Sequence, residues 1–117
     1  MLTRDKIYAI LSLVIKIKNE GVISMRKVIL RGDRSGVFYG TVEKRTGTEV
    51  LVNNCRRLWY WDGANSISEL AINGTKEPQN CKFTVSVDSV EILDIIEILD
   101  CTKEAIASIE SVEVWKY

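Results

Sequence analysis

Apolar side chains recur at Ile7, Ile10, Leu11, Val14 and Ile17, a helical spacing that predicts a first helix from about Arg4 to Asn19. Thr3 is placed to cap its start and Gly21 to end it, with Lys16 and Lys18 near its negative pole. Leu13 and Ile15 fall outside that stripe, which suits burial of a second face against another subunit. From Arg26 the period changes. Lys27–Arg31 predicts a strand, 32–36 a glycine-bounded turn, and Val37–Val42 a second strand. Thr46-Gly47 predicts a hairpin turn into a third strand at Glu49–Val52, and Arg57–Trp61 reads as a fourth.

Ser66, with Glu69 three residues on, predicts a capped short helix through about Ile72, stopped by Gly74. After a loop at 75–80, Cys81–Val87 predicts a further strand. Val90–Leu99 predicts a last one, whose alternation is spoiled at Leu93 and Ile95, as a bulge or a two-sided burial would do. A final helix over roughly Thr102–Ser111 turns Ile106 and Ile109 inward. The predicted fold is α+β: a mainly antiparallel β-sheet body with an N-terminal, a short central and a C-terminal helix. It forms a single domain over 1–117, with 1–22 as an oligomerisation helix and 24–117 as the β-rich ligand-binding body.

Length and composition agree with one domain that folds without metal or disulfide: 117 residues, of which 46% are hydrophobic and 27% charged. Three scattered cysteines and no histidine exclude a disulfide framework, the usual zinc patterns and His-based nucleophile activation. An odd cysteine count fits a reducing cytoplasm. The apolar run at 11–15 is far short of the roughly 20 residues that a membrane span needs. Net charge is zero but divided: residues 1–57 carry twelve Lys/Arg against five Asp/Glu, and residues 58–117 carry four against eleven. That division argues against a DNA- or RNA-binding face and fits either a local basic site or surfaces that pair between subunits.

Candidate chemistry concentrates in the centre. Arg31-Gly32-Asp33 is a chance three-letter match, and the glycines at 32, 36 and 40 lack the lysine and hydroxyl terminus of a P-loop. A ligand-contacting loop carrying Arg34 is an alternative to plain turn glycines. Residues 53–61 hold Asn54, Arg56, Arg57, Trp59, Tyr60 and Trp61. Guanidinium forks suit phosphate oxygens and aromatic faces suit a purine, so this segment reads as a phosphorylated-nucleotide site, with core aromatics or a protein-binding surface as the alternatives. In a strand Arg57, Trp59 and Trp61 share one face, and Arg56, Leu58 and Tyr60 the other. Lys82-Phe83 is a smaller signal of the same kind. No residue set marks a catalyst, so no enzyme, cofactor or metal is expected.

The segments RGDRSGVFYGTV, NNCRRLWYWDGANSISELAINGTK, CKFTVSV and EILDIIEILDCTKEAIASIESVEVW, spanning about residues 24–117, resemble phage-encoded Thoeris anti-defence proteins of the first family. The resemblance implies a sponge in the cytoplasm of an infected bacterial host. Such proteins capture cyclic ADP-ribose isomers made by TIR-domain enzymes without cleaving them, and some also hold cyclic oligonucleotides at separate sites. They form homodimers, some of which assemble into hexamers, with ligand at the dimer interface. By motif, Phe83 would stack on adenine, and Arg31, Arg34, Arg56 and Arg57 would grip phosphate, with Lys82, Asn54 and Trp59 beside them. The rival expectation is a protein-binding inhibitor of a host defence protein, anchored by Trp59, Tyr60 and Trp61.

Overall fold

Val28, Ile29 and Leu30 are all fully buried, so the strand that carries them is covered on both faces. A computed structural model describes residues 26–116 and shows how. Six strands follow one another as β1 (Lys27–Gly32), β2 (Val37–Thr46), β3 (Glu49–Tyr60), β4 (Lys82–Phe83), β5 (Val87–Ile92) and β6 (Ile95–Asp100). A short helix α1 (Ile67–Asn73) lies between β3 and β4, and α2 (Lys103–Ser111) follows β6. All strand pairings are antiparallel: β4-β3-β2-β1-β6, with β5 also on β3. The structure is thus a mainly antiparallel β-sheet with a central and a C-terminal helix. The predicted N-terminal helix lies outside the described residues.

The two edges, β5 and β6, are joined through only Leu93 and Asp94, so the sheet must curl on itself. Inside the curl pack Val28, Leu30, Phe38, Val42, Val50, Val52, Cys55, Ile92 and Ile95. On the outer face Ile29, Tyr39, Leu58 and Phe83 pack against Leu70 and Ala71 of α1 and Ala105 and Ile109 of α2. Each fully buried aliphatic side chain contributes about 1.5–3 kcal/mol of transfer free energy to one core or the other.

The caps form as the residue types predict. Ser66 Oγ accepts from the Glu69 amide, while the Glu69 carboxylate returns to the Asn65 amide, one residue earlier than a capping box requires. Gly74, at φ +73°, closes α1 with its amide on the Leu70 carbonyl. Thr102 Oγ1 accepts from Ala105 and donates to the Ile72 carbonyl, locking the start of α2 onto the end of α1.

Three strand boundaries differ from expectation. Glu49–Val52 and Arg57–Trp61 are parts of one continuous β3, which ends at Tyr60 and bulges at Asn54, where φ is +48°. The strand expected over Cys81–Val87 is interrupted: Lys82–Phe83 form β4, Thr84 meets β3 with its hydroxyl in place of its carbonyl as the acceptor, and Val87 begins β5. Val90–Leu99 divides at Leu93-Asp94, since β5 pairs with β3 while β6 pairs with β1 on the far edge. In α2 the buried residues are Ala105 and Ile109, with Ile106 half-buried.

The charge division has a local outlet. Arg26 pairs with Asp100, Lys27 with Glu110 and Arg31 with Glu97, so part of the basic first half and the acidic second half meet within the chain. These pairs are partly exposed, and each contributes at most about 1 kcal/mol.

Candidate functional site

Strand β3 sorts its side chains by parity. Arg56 and Leu58 are buried, whereas Arg57 and Trp59 stand in solvent. Tyr60 departs from the pattern because β3 loses register with β4 there, and its ring is half exposed.

On the buried side Arg56 is a structural clamp. Its Nε bonds the Thr84 carbonyl, Nη1 the Ile109 and Val112 carbonyls, and Nη2 the Phe83 carbonyl, at 3.0–3.2 Å. The guanidinium therefore joins β4 to the carbonyl-rich end of α2, where a positive charge is favoured. Burial lowers its pKa from the ordinary value, opposed by Tyr39 and Glu110. Phe83 is 0% exposed, with the Arg56 guanidinium 5.4 Å from its ring centre, so its ring presents no face to solvent.

On the open side the turn at 32–36 comes to rest beside β3. Asp94 holds that turn: one carboxylate oxygen accepts the Arg34 and Ser35 amides, the other the Ser35 hydroxyl. The Ser35 hydroxyl and these amides keep the Asp94 carboxyl below its usual pKa. Arg57 reaches over to donate Nη1 to the Ser35 carbonyl at 2.6 Å, and its guanidinium lies 4.4 Å from the Phe38 ring centre. Arg34 and Arg57 thereby line one open cleft of about 480 Å³, with Val90 and Leu93 forming an apolar shelf opposite. Trp59, 64% exposed, lies two residues along the same face of β3, about 7 Å from Arg57. The anchored Arg57 guanidinium, the Arg34 side chain on its fixed turn, an apolar shelf and a bare indole can together hold a ligand that has anionic oxygens at one end and a flat ring at the other.

The remaining expected site residues stand elsewhere. Arg31 is committed to Glu97 on the β1–β6 edge. Lys82 is exposed between the rings of Tyr60 and Trp115, 5.8 and 5.5 Å from their centres. Asn54 occupies the β3 bulge and opens, with Arg56, onto a separate cleft. Of the eight residues, then, Arg34, Arg57 and Trp59 are brought to one face, and the other five are not. Asp94, Ser35 and Leu93 were absent from the expected set. The one available signal was the break in alternation at Leu93, which marks a turn with an acidic residue at its corner.

No helix among the described residues is long and apolar enough to cross a membrane, and no group of three metal-ligating side chains occurs among them. Residues 25–109 match the family model of a domain of unknown function, DUF6948. No curated protein and no solved structure matches the chain.

Proposed function

The chain belongs to the DUF6948 family, and we propose that it captures a cyclic ADP-ribose isomer made by a bacterial TIR-domain enzyme and holds it without cleaving it. The reading rests on the resemblance to phage Thoeris anti-defence proteins and on one observation. Arg34, its main chain held by Asp94, and Arg57, its guanidinium held by the Ser35 carbonyl, come from separate segments to line one cleft, with the exposed Trp59 two residues further along the same face of β3. A pyrophosphate meets the two guanidinium groups through paired, charge-assisted bonds, and the adenine lies on the indole. With Phe83 sealed in the core, Trp59 takes the stacking role in this reading. Held in the cytoplasm of an infected bacterium, the signal no longer reaches its effector. Homodimer formation and the capture of cyclic oligonucleotides at separate sites belong to the same proposal.

Calorimetric titration with the TIR-derived isomers, followed by heat release and chromatography of the ligand, tests it. Tight binding with intact ligand recovered supports the sponge. A silent titration with every isomer, or recovery of linear ADP-ribose, rejects it. The second reading, a protein-binding inhibitor of a host defence protein, draws on the exposure of Trp59, Tyr60 and Val85, a surface of the kind that anchors protein partners.

A further inference from the structure

The face of β3 opposite Arg57 carries a second cleft of about 470 Å³, and its chemistry differs. Its wall is a preassembled charge relay drawn from three elements. Glu110 Oε2 accepts from Lys27 Nζ at 2.8 Å and from the Tyr39 hydroxyl at 2.6 Å, so neither bond uses Oε1. Partial burial raises the Glu110 carboxyl, but the bonds from Lys27 and Tyr39 outweigh it and keep the group below its usual pKa. Burial, then the bond to Glu110, pushes the Tyr39 phenol up, so it stays a fixed neutral donor.

The floor is the β3 bulge. Asn54 sits at φ +48°, a conformation that glycine adopts without steric cost and asparagine more readily than most other residues, and the residue lines the cleft. Beneath the floor, toward the inner core, Gly40 lets β2 and β3 approach closely: a Cβ there would lie 2.5 Å from Val52 Cγ1 and 3.0 Å from the Asn53 carbonyl oxygen. Thr41 and Ser86 add hydroxyls, and Val112 and Val114 an apolar rim.

We propose that this cleft binds the vicinal diol of a furanose or pyranose ring. An anionic ligand would meet the Glu110 carboxylate, and a cationic one Lys27 and Arg56. A neutral polyol satisfies the mixture, because each ring hydroxyl both donates and accepts: it donates to Glu110 Oε1 and Asn54 and accepts from Lys27 and Asn54. The C–H face of the ring packs on Val112 and Val114. In this proposal the asparagine side chain supplies the amide that a glycine at the same backbone conformation would lack. The site lies across the sheet from Arg34 and Arg57 and does not depend on them.

The test is an amide-resolved NMR titration of the full chain with adenosine, methyl ribofuranoside and methyl glucopyranoside, against 2′,3′-dideoxyadenosine. Shifts at Gly40, Asn54 and Glu110 with the diols, at least about tenfold weaker for the dideoxy compound, support the site. Binding of the nucleoside alone assigns the diol to a nucleoside; binding of the simple glycosides assigns it to a free sugar. Asn54→Gly, which suits the positive φ, and Glu110→Gln each weaken binding about tenfold with the fold retained, whereas Arg34→Ala leaves it unchanged. No shift at these amides with any diol, or equal shifts with the dideoxy compound, overturns the proposal.

Discussion

Arg56 and Arg57 are neighbours in the chain and opposites in the fold. Arg56 is 8% exposed and its guanidinium satisfies four main-chain carbonyls; Arg57 is exposed and spends one donor on the Ser35 carbonyl while leaning on a phenylalanine ring. Strand alternation alone separates them, since successive side chains point to opposite faces of a sheet. The lesson is that a run of like residues is no measure of a site. Arg56 is spent on joining sheet to helix, whereas Arg57 keeps donors free to meet a ligand.

Removing either buried partner should produce the largest effect. Arg56→Ala strands four carbonyls, and Phe83→Ala empties a core position; each is expected to cost about 3–5 kcal/mol of stability in denaturant unfolding. A loss below about 1 kcal/mol for Arg56→Ala would erase the distinction between the faces.

On the open face the expectation reverses. Arg57→Ala and Arg34→Ala should leave stability within about 1 kcal/mol, yet each should weaken capture of the cyclic nucleotide in calorimetry by about 1.5–3 kcal/mol. Trp59→Ala is expected to cost about 1–3 kcal/mol of affinity, also at little cost to the fold.

Asp94 sharpens the comparison by acting at one remove. Asp94→Asn keeps both arginines but loosens the turn that positions Arg34, so affinity should drop, by less than on removing either arginine. Because the Asp94 pKa is depressed, its contribution is present above the ordinary carboxylate range and fades as pH falls through the folded value. Affinity measured against pH should show that acid limb in the parent and lack it in Asp94→Asn.

The smallest effect is alkaline. Burial pushes the Cys55 and Cys101 thiols up to about 11. A raised acid stabilises the fold below its unfolded pKa, about 8.5, and loses that contribution as pH rises toward 11. Thiol labelling at pH 8 should accordingly be slow at both residues and should accelerate on unfolding.

Much of this contrast was legible beforehand. Period-two alternation separated Arg57 and Trp59 from Arg56 and Leu58, and Ser66 and Gly74 marked the ends of α1 by residue type alone. What alternation does not say is which face is inside. The destination of Arg56 depends on carbonyls 27 to 56 residues away, and the burial of Phe83 on a strand only two residues long. The bulge at Asn54 carries no glycine to announce it. Asp94 lies 60 residues from the turn it holds, and nothing local links them.

The measurement that bears most directly on the account is a map of amide and indole NMR shifts with a TIR-derived cyclic ADP-ribose isomer added. The account predicts that shifts gather at Arg34, Ser35, Arg57 and the Trp59 indole, with the amides around Phe83 unmoved. Shifts confined to the Arg56 face, or none at saturating ligand, would contradict it.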